Sequence, residues 1–102
     1  MKICCQIPVT MSGESPEARP YFEQLQKHFA MVKRPDTEVL IKDVAGAPWD
    51  PSWEIYNGLR PFNYIEILKS MLNAEKEGCD GVSISCFFDP ALSEARQLLK
   101  IP

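Results

Sequence analysis

Gly78–Pro90 reads GCDGVSISCFFDP. It carries a helix stop, a short strand, a cysteine and a helix start in thirteen residues. Gly78 suits the left-handed conformation that ends a helix. Val82 and Ile84 alternate with Gly81, Ser83 and Ser85, so Gly81–Ser85 reads as a strand. Asp89 is a favourable N-cap and Pro90 suits the first helical position. The following ALSEARQLLK places Leu92, Ala95 and Leu99 on one helical side. Cys86 therefore falls just past the carboxyl end of a strand, shortly before a predicted helix N-terminus. In open α/β sheets ligands bind at that end. Backbone N–H groups and a helix dipole there ease ionisation of a thiol.

Working outward, the same punctuation recurs. Residues 3–7, ICCQI, form an apolar strand with little alternation, as when both faces are covered. Pro8–Gly13 leaves it as a loop. A helix starts at Ser15-Pro16 or Arg19-Pro20, with Phe22, Leu25 and Phe29 as its buried stripe. His28 falls near its end as a surface residue. Arg34–Thr37 is a turn, and Glu38–Val44 is a second strand whose charged ends suit an edge. Pro61–Glu77 is the clearest helix, with Phe62, Ile65, Ile67 or Leu68, and Leu72 on its stripe. Between them, residues 45–61 hold two tryptophans, Tyr56 and three prolines. A loop this long is a lid, a binding loop or a packing flap.

The order is β-α-β-α-β-α, which implies a parallel sheet with right-handed crossovers. The expected fold is a three-layer α/β/α domain over residues 1–102, with strand order 2-1-3. That order puts the topological switch point between strands 1 and 3. The loops Pro8–Gly13 and Cys86–Asp89 then meet at one crevice, with the loop after strand 2 at the same end.

The chain has 102 residues and a net charge of −3. That suits one small domain and excludes a general nucleic-acid binder, since no basic patch is visible. No apolar run reaches the roughly 18–20 residues that span a bilayer. The start MKICCQIPVT lacks the form of a secretory signal, so a cytoplasmic location and no membrane partner are expected. Cys4, Cys5, Cys79 and Cys86 show no CxxC spacing, and the single histidine lies far off, so no metal site is expected. Adjacent Cys4 and Cys5 point to opposite faces of a strand and do not bond each other. Three of the thiols read as small buried apolar groups, and Cys86 reads either as a fourth packing thiol or as a chemical group. No Gly-rich nucleotide motif occurs.

Ser85-Cys86-Phe87-Phe88-Asp89-Pro90-Ala91-Leu92, with Ala95-Arg96 and Ile101-Pro102, resembles the cysteine motif of the aspartate/glutamate/hydantoin racemase superfamily. The Cys-Phe-x-Asp-Pro form is closest to the hydantoin racemase branch. Gly78–Gly81 and Pro8-x-Thr10 fit the same pattern. The resemblance is sharp over Gly78–Pro102. It implies an α/β protein of two similar halves, each giving one cysteine to a site between them. One thiolate removes a proton from a carbon next to a carbonyl; the other thiol protonates the opposite face. No metal and no cofactor take part.

On that resemblance Cys86 is the catalytic cysteine of the first half. Pro8, Thr10, Tyr56 and Phe87 are candidate substrate-binding residues. The substrate is a hydantoin, an amino acid or a related carboxylate. Ile7 and Val9 stand where the branch has asparagines, and the sequence ends at Pro102 where the family's next strand begins. The expectation is the amino-terminal half of a longer isomerase, with a homo-oligomer as one arrangement. The alternatives are a cis–trans isomerase or decarboxylase of the same superfamily, a small-molecule-binding domain, or an inactive fragment that self-associates at its open sheet edge.

Overall fold

The computed structural model describes residues 1–8, 18–44 and 60–102. The elements run β1 (Lys2–Gln6), α1 (Ala18–Val32), β2 (Glu38–Lys42), α2 (Arg60–Lys76), β3 (Gly81–Ile84) and α3 (Leu92–Leu98). The three strands form one parallel sheet in the order β2-β1-β3. Both the α/β class and the strand order expected from the sequence are present.

The central strand shows why ICCQI does not alternate. Cys4 pairs with Leu40 on one side and Val82 on the other, and Cys5 with Ile41 and Ser83. Cys4 is 0% and Cys5 3% exposed, though they face opposite ways. Cys4 packs with Ala74, Cys79, Leu40, Val82 and Ile101. Ile7, on the parity of Cys5, packs with Phe22, Leu25 and Ile41. The largest cluster joins Val44, Ile67, Met71, Ala91 and Ala95 beneath Tyr64, Leu68, Val82, Ile84 and Leu99.

α1 is described from Ala18, with Pro20 as its third residue, and the alternative start at Ser15-Pro16 lies outside the described residues. Its Phe22, Leu25 and Phe29 are only half-buried, and His28 is exposed, as expected. α2 corrects its expected stripe. Phe62 is 62% and Ile65 55% exposed. The buried residues are Asn63, Ile67, Met71 and Ala74, spaced by four, four and three. The helix is turned so that a polar residue, Asn63, enters the interior. Its partner there is a backbone carbonyl described below.

α2 ends as the sequence indicates. Gly78 takes φ 82°, and the Gly78 and Cys79 N–H groups donate to the Glu75 and Ala74 carbonyls. Asp80 then ties β3 to β1: Lys2 N–H donates to its carboxylate at 2.7 Å, and its own N–H donates to Lys2 O at 2.7 Å.

The start of α3 is a second correction. Asp89 is not its N-cap, and Pro90 is not its first residue. Ala91 holds the N-cap position at φ 61°, with no side-chain capping bond, and the helix begins at Leu92. Asp89 also has positive φ, at 45°. Two such residues flank the fully buried Pro90. Burying Pro90 and Ala91 outweighs the one to two kcal/mol or so that a left-handed non-glycine residue costs.

Candidate functional site

The site expected between β1 and β3 would fall at two neighbouring strand ends. β1 ends at Gln6 and β3 at Ile84, and Ser85 N–H extends the pairing by donating to Gln6 O at 2.9 Å. This places Cys86 one residue beyond the last rung, beside the segment Ile7-Pro8. The strand order therefore brings Cys86 and Pro8 to the same end of adjacent strands. Thr10 and Tyr56, and the loop of residues 45–61 apart from its last two, lie outside the described residues.

Cys86 is the odd cysteine. Cys4, Cys5 and Cys79 are buried, and Cys86 is half-exposed. Burial drives the thiols of β1 towards the neutral form. Cys4 is raised from 9.0 to about 12 by loss of solvent, with a further push from Cys79 and relief from Lys42. Cys5 is also raised by burial, partly offset by a hydrogen bond from Ser85. A neutral, buried thiol is a poor nucleophile and a poor base. The division into three packing cysteines and one accessible one, expected from the sequence, is present.

Around Cys86 the chain makes a tight turn. Asp89 N–H donates to Cys86 O at 3.2 Å, and Leu92 N–H to Asp89 O at 3.2 Å. The backbone N–H groups of Phe87 and Phe88 have no partner among the described residues. They are the donors nearest to Cys86 along the chain. The helix expected to assist the thiol starts six residues after it and is seven residues long. Its dipole falls off within the first turn, so it contributes little at Cys86.

Phe87 is fully exposed and Phe88 is 62% exposed. The guanidinium of Arg60 lies 5.3 Å from the Phe88 ring centroid, within cation–π range. Pro8 is buried, and its carbonyl accepts from Asn63 Nδ2 at 2.8 Å. That carbonyl is thus used in holding the segment rather than offered to a ligand.

At the carboxyl end of β1 lies a polar network that the sequence alone did not reveal. Gln6 is 0% exposed inside the sheet. Its Nε2 donates to Ile7 O at 2.9 Å, and its Oε1 accepts from Ser70 Oγ at 2.7 Å. Ser70 lies one helical turn before Ala74 and two after Asn63, so α2 presents Asn63 and Ser70 to the carboxyl end of β1. The signal was available: a glutamine in a strand with both faces buried needs partners. An apolar groove of about 400 Å³ opens elsewhere, between β3 and α3, lined by Val82, Ile84, Leu92, Leu99 and Arg96; Cys86 is not part of it.

No protein-family model matches the chain, and no curated protein matches it. Among the described residues, no three His, Cys, Asp or Glu side chains gather as a metal site, and no helix is long and apolar enough to cross a membrane.

Proposed function

We propose that Cys86 is the acid/base group of a cofactor-independent, racemase-type site acting on a carbon next to a carbonyl. The observation that carries this is the position of one accessible thiol at the carboxyl end of β3, beside the end of β1, in a sheet of order β2-β1-β3. Ligands of open parallel sheets bind there. The motif from Ser85 to Leu92, similar to that of the hydantoin racemase branch, supplies the reaction class.

In this reading the Cys86 thiolate takes the α-proton. It becomes a thiol, and the electron pair of the C–H bond moves into an enolate. The open N–H groups of Phe87 and Phe88 are suited to stabilise the charge on the carbonyl oxygen, as donors in an oxyanion hole do. Inversion needs a second acid on the opposite face of the carbon. Cys4, Cys5 and Cys79 are buried, so that acid is not one of them. The second acid is then a residue other than these three, and the resemblance points to a second half of the site on a further segment or a second chain. The substrate is a hydantoin, an amino acid or a related carboxylate.

The test is exchange of the substrate α-proton in D2O, followed by proton NMR. A single-enantiomer 5-substituted hydantoin, aspartate and glutamate are the substrates, and Cys86→Ser is the control. Loss of the α-proton signal that depends on Cys86 is the expected result. Exchange that persists in Cys86→Ser, or no exchange with all three, counts against the assignment.

One observation favours a second reading, a non-catalytic small-molecule-binding domain. α3 starts at Leu92, so no helix N-terminus lies next to Cys86. On that reading Cys86 reacts with an alkylating agent no faster than an ordinary exposed thiol.

A further inference from the structure

Among the described residues β2 is an edge strand, and its outer edge is open. Glu38 N–H donates to Met1 O, and Ile7 N–H donates to Lys42 O. The even-numbered residues of β2 therefore face β1. In a parallel ladder the alternate residues face away, so Val39 and Ile41 turn both backbone groups outward. No partner for them occurs among the described residues. The other edge differs: Val82 N–H on β3 already donates to Pro102 O at 2.8 Å.

The sequence of β2 is Glu38-Val39-Leu40-Ile41-Lys42. Set antiparallel against a copy of itself about Leu40, it places Glu38 opposite Lys42, Val39 opposite Ile41 and Leu40 opposite itself. Opposite charges meet at both ends, and branched apolar residues meet in between. The hydrogen bonding agrees with this register. Val39 and Ile41 of each strand form the hydrogen-bonded pairs, and Leu40 forms the close, non-bonded pair. All four open groups of each strand find partners, and no other antiparallel register achieves both matches.

We propose that β2 docks a second copy of this chain, antiparallel, on a twofold axis through the Leu40 pair. Two three-stranded sheets then continue as one. Pairing two five-residue strands makes a small interface, so the dimer is weak, with a Kd on the order of micromolar or above. Glu38 is exposed, and Lys42 already pairs with Glu77 of its own chain at 2.6 Å. Lys42 is thus held in place before the partner's Glu38 arrives. Charges at strand ends usually keep edges apart; here the antiparallel register turns them into attraction.

The experiment is sedimentation equilibrium over a concentration series, with circular dichroism as the check on folding. The wild-type chain is expected to show a monomer–dimer equilibrium. Glu38→Lys puts two like-charged pairs across the axis and should weaken it about tenfold. Lys42→Glu should do the same. Mixing these two variants should restore a dimer, because each strand then carries one sign throughout. A role of Glu38 or Lys42 in the fold of the monomer alone would not give that rescue. Ile41→Pro removes an outward N–H and no bond to β1, so it should abolish dimerisation. It also trims the Ile7–Phe22–Leu25 cluster, so circular dichroism must show the fold kept before it is counted, and Glu38→Lys carries the test where it is not. A monomer at all concentrations overturns the proposal. So does a dimer that Glu38→Lys and Ile41→Pro leave unchanged, since that dimer forms at another surface.

Discussion

Ser70 Oγ donates to Gln6 Oε1 at 2.7 Å across the interface between α2 and β1. Gln6 is fully buried in the central strand, so this hydroxyl supplies its carbonyl oxygen with a donor water does not reach. Ser70→Ala removes the donor and leaves a buried acceptor. The expected loss is about 1–3 kcal/mol, read from urea unfolding. Gln6→Leu removes the need as well as the partner. In the Gln6→Leu background, Ser70→Ala should therefore cost much less than in the wild type. Equal costs in the two backgrounds would show that the bond contributes nothing to stability.

Asn63 makes the corresponding link at the first turn of α2, through Nδ2 to Pro8 O at 2.8 Å. Asn63→Asp replaces that donor by a carboxylate facing a carbonyl in a buried place. Burial and the carbonyl dipole both raise the pKa of the new group above the ordinary carboxylate value near 3.9. Its folded pKa then exceeds its unfolded one. The protonated carboxyl is itself a donor, so the lost stability should return as pH falls through the raised folded pKa and be fully regained near the unfolded value of about 4. The variant should be less stable than wild type at neutral pH and close to it in acid. A difference that does not change with pH would count against the donor role.

What the sequence revealed and what it hid divide along the same boundary. Strand β1 was legible because ICCQI is apolar on both parities, which only a covered central strand tolerates. The order β2-β1-β3 followed from that and from the alternation of elements. Gly78 was legible because its backbone conformation is a local property. The buried face of α2 was not. Periodicity weighs Phe62 and Ile65 above Asn63, but Asn63 is drawn inward by a carbonyl 55 residues away in sequence. α3 was misplaced for a related reason. Asp89-Pro90 has the local form of a helix start, yet packing of Pro90 and Ala91 into the core sets the start at Leu92. At the candidate site, Cys86 was legible from its place after a strand. The Gln6–Ser70–Asn63 framework at the carboxyl end of β1 depends on contacts between distant segments.

The four thiols should separate by rate. Cys86 is half-exposed and the other three are buried. In the native protein, a disulfide reagent such as Ellman's should modify one thiol rapidly. The remaining three should react only as fast as the chain opens, and together in denaturant. Cys86→Ser should remove the fast phase and leave the slow one. A second fast thiol in the native state would contradict the packing of β1 between α2 and the Ile7 cluster.

Cys4 gives the sharpest dependence on alkaline pH. Its thiol stands at about 12 in the folded chain against 9.0 for an ordinary thiol, because burial disfavours the thiolate. A raised folded pKa means that the native state holds its proton longer than the unfolded state. Below pH 9 both states are protonated, and Cys4 adds no pH dependence. From pH 9 to 12 the unfolded chain gives up a proton that the folded chain keeps. Unfolding is then favoured by up to about 1.4 kcal/mol for each pH unit. The loss levels off once the folded thiol ionises too. Cys5 is shifted in the same direction by burial and adds to the slope. Urea midpoints measured across this range should fall steadily for the wild type. Cys4→Ala starts from lower stability, since it leaves a small cavity beside Ala74 and Cys79, but its midpoints should fall less steeply. Parallel slopes for the two proteins would mean that the Cys4 proton is not released on unfolding, and that the thiol is not held neutral by its burial between Leu40 and Val82.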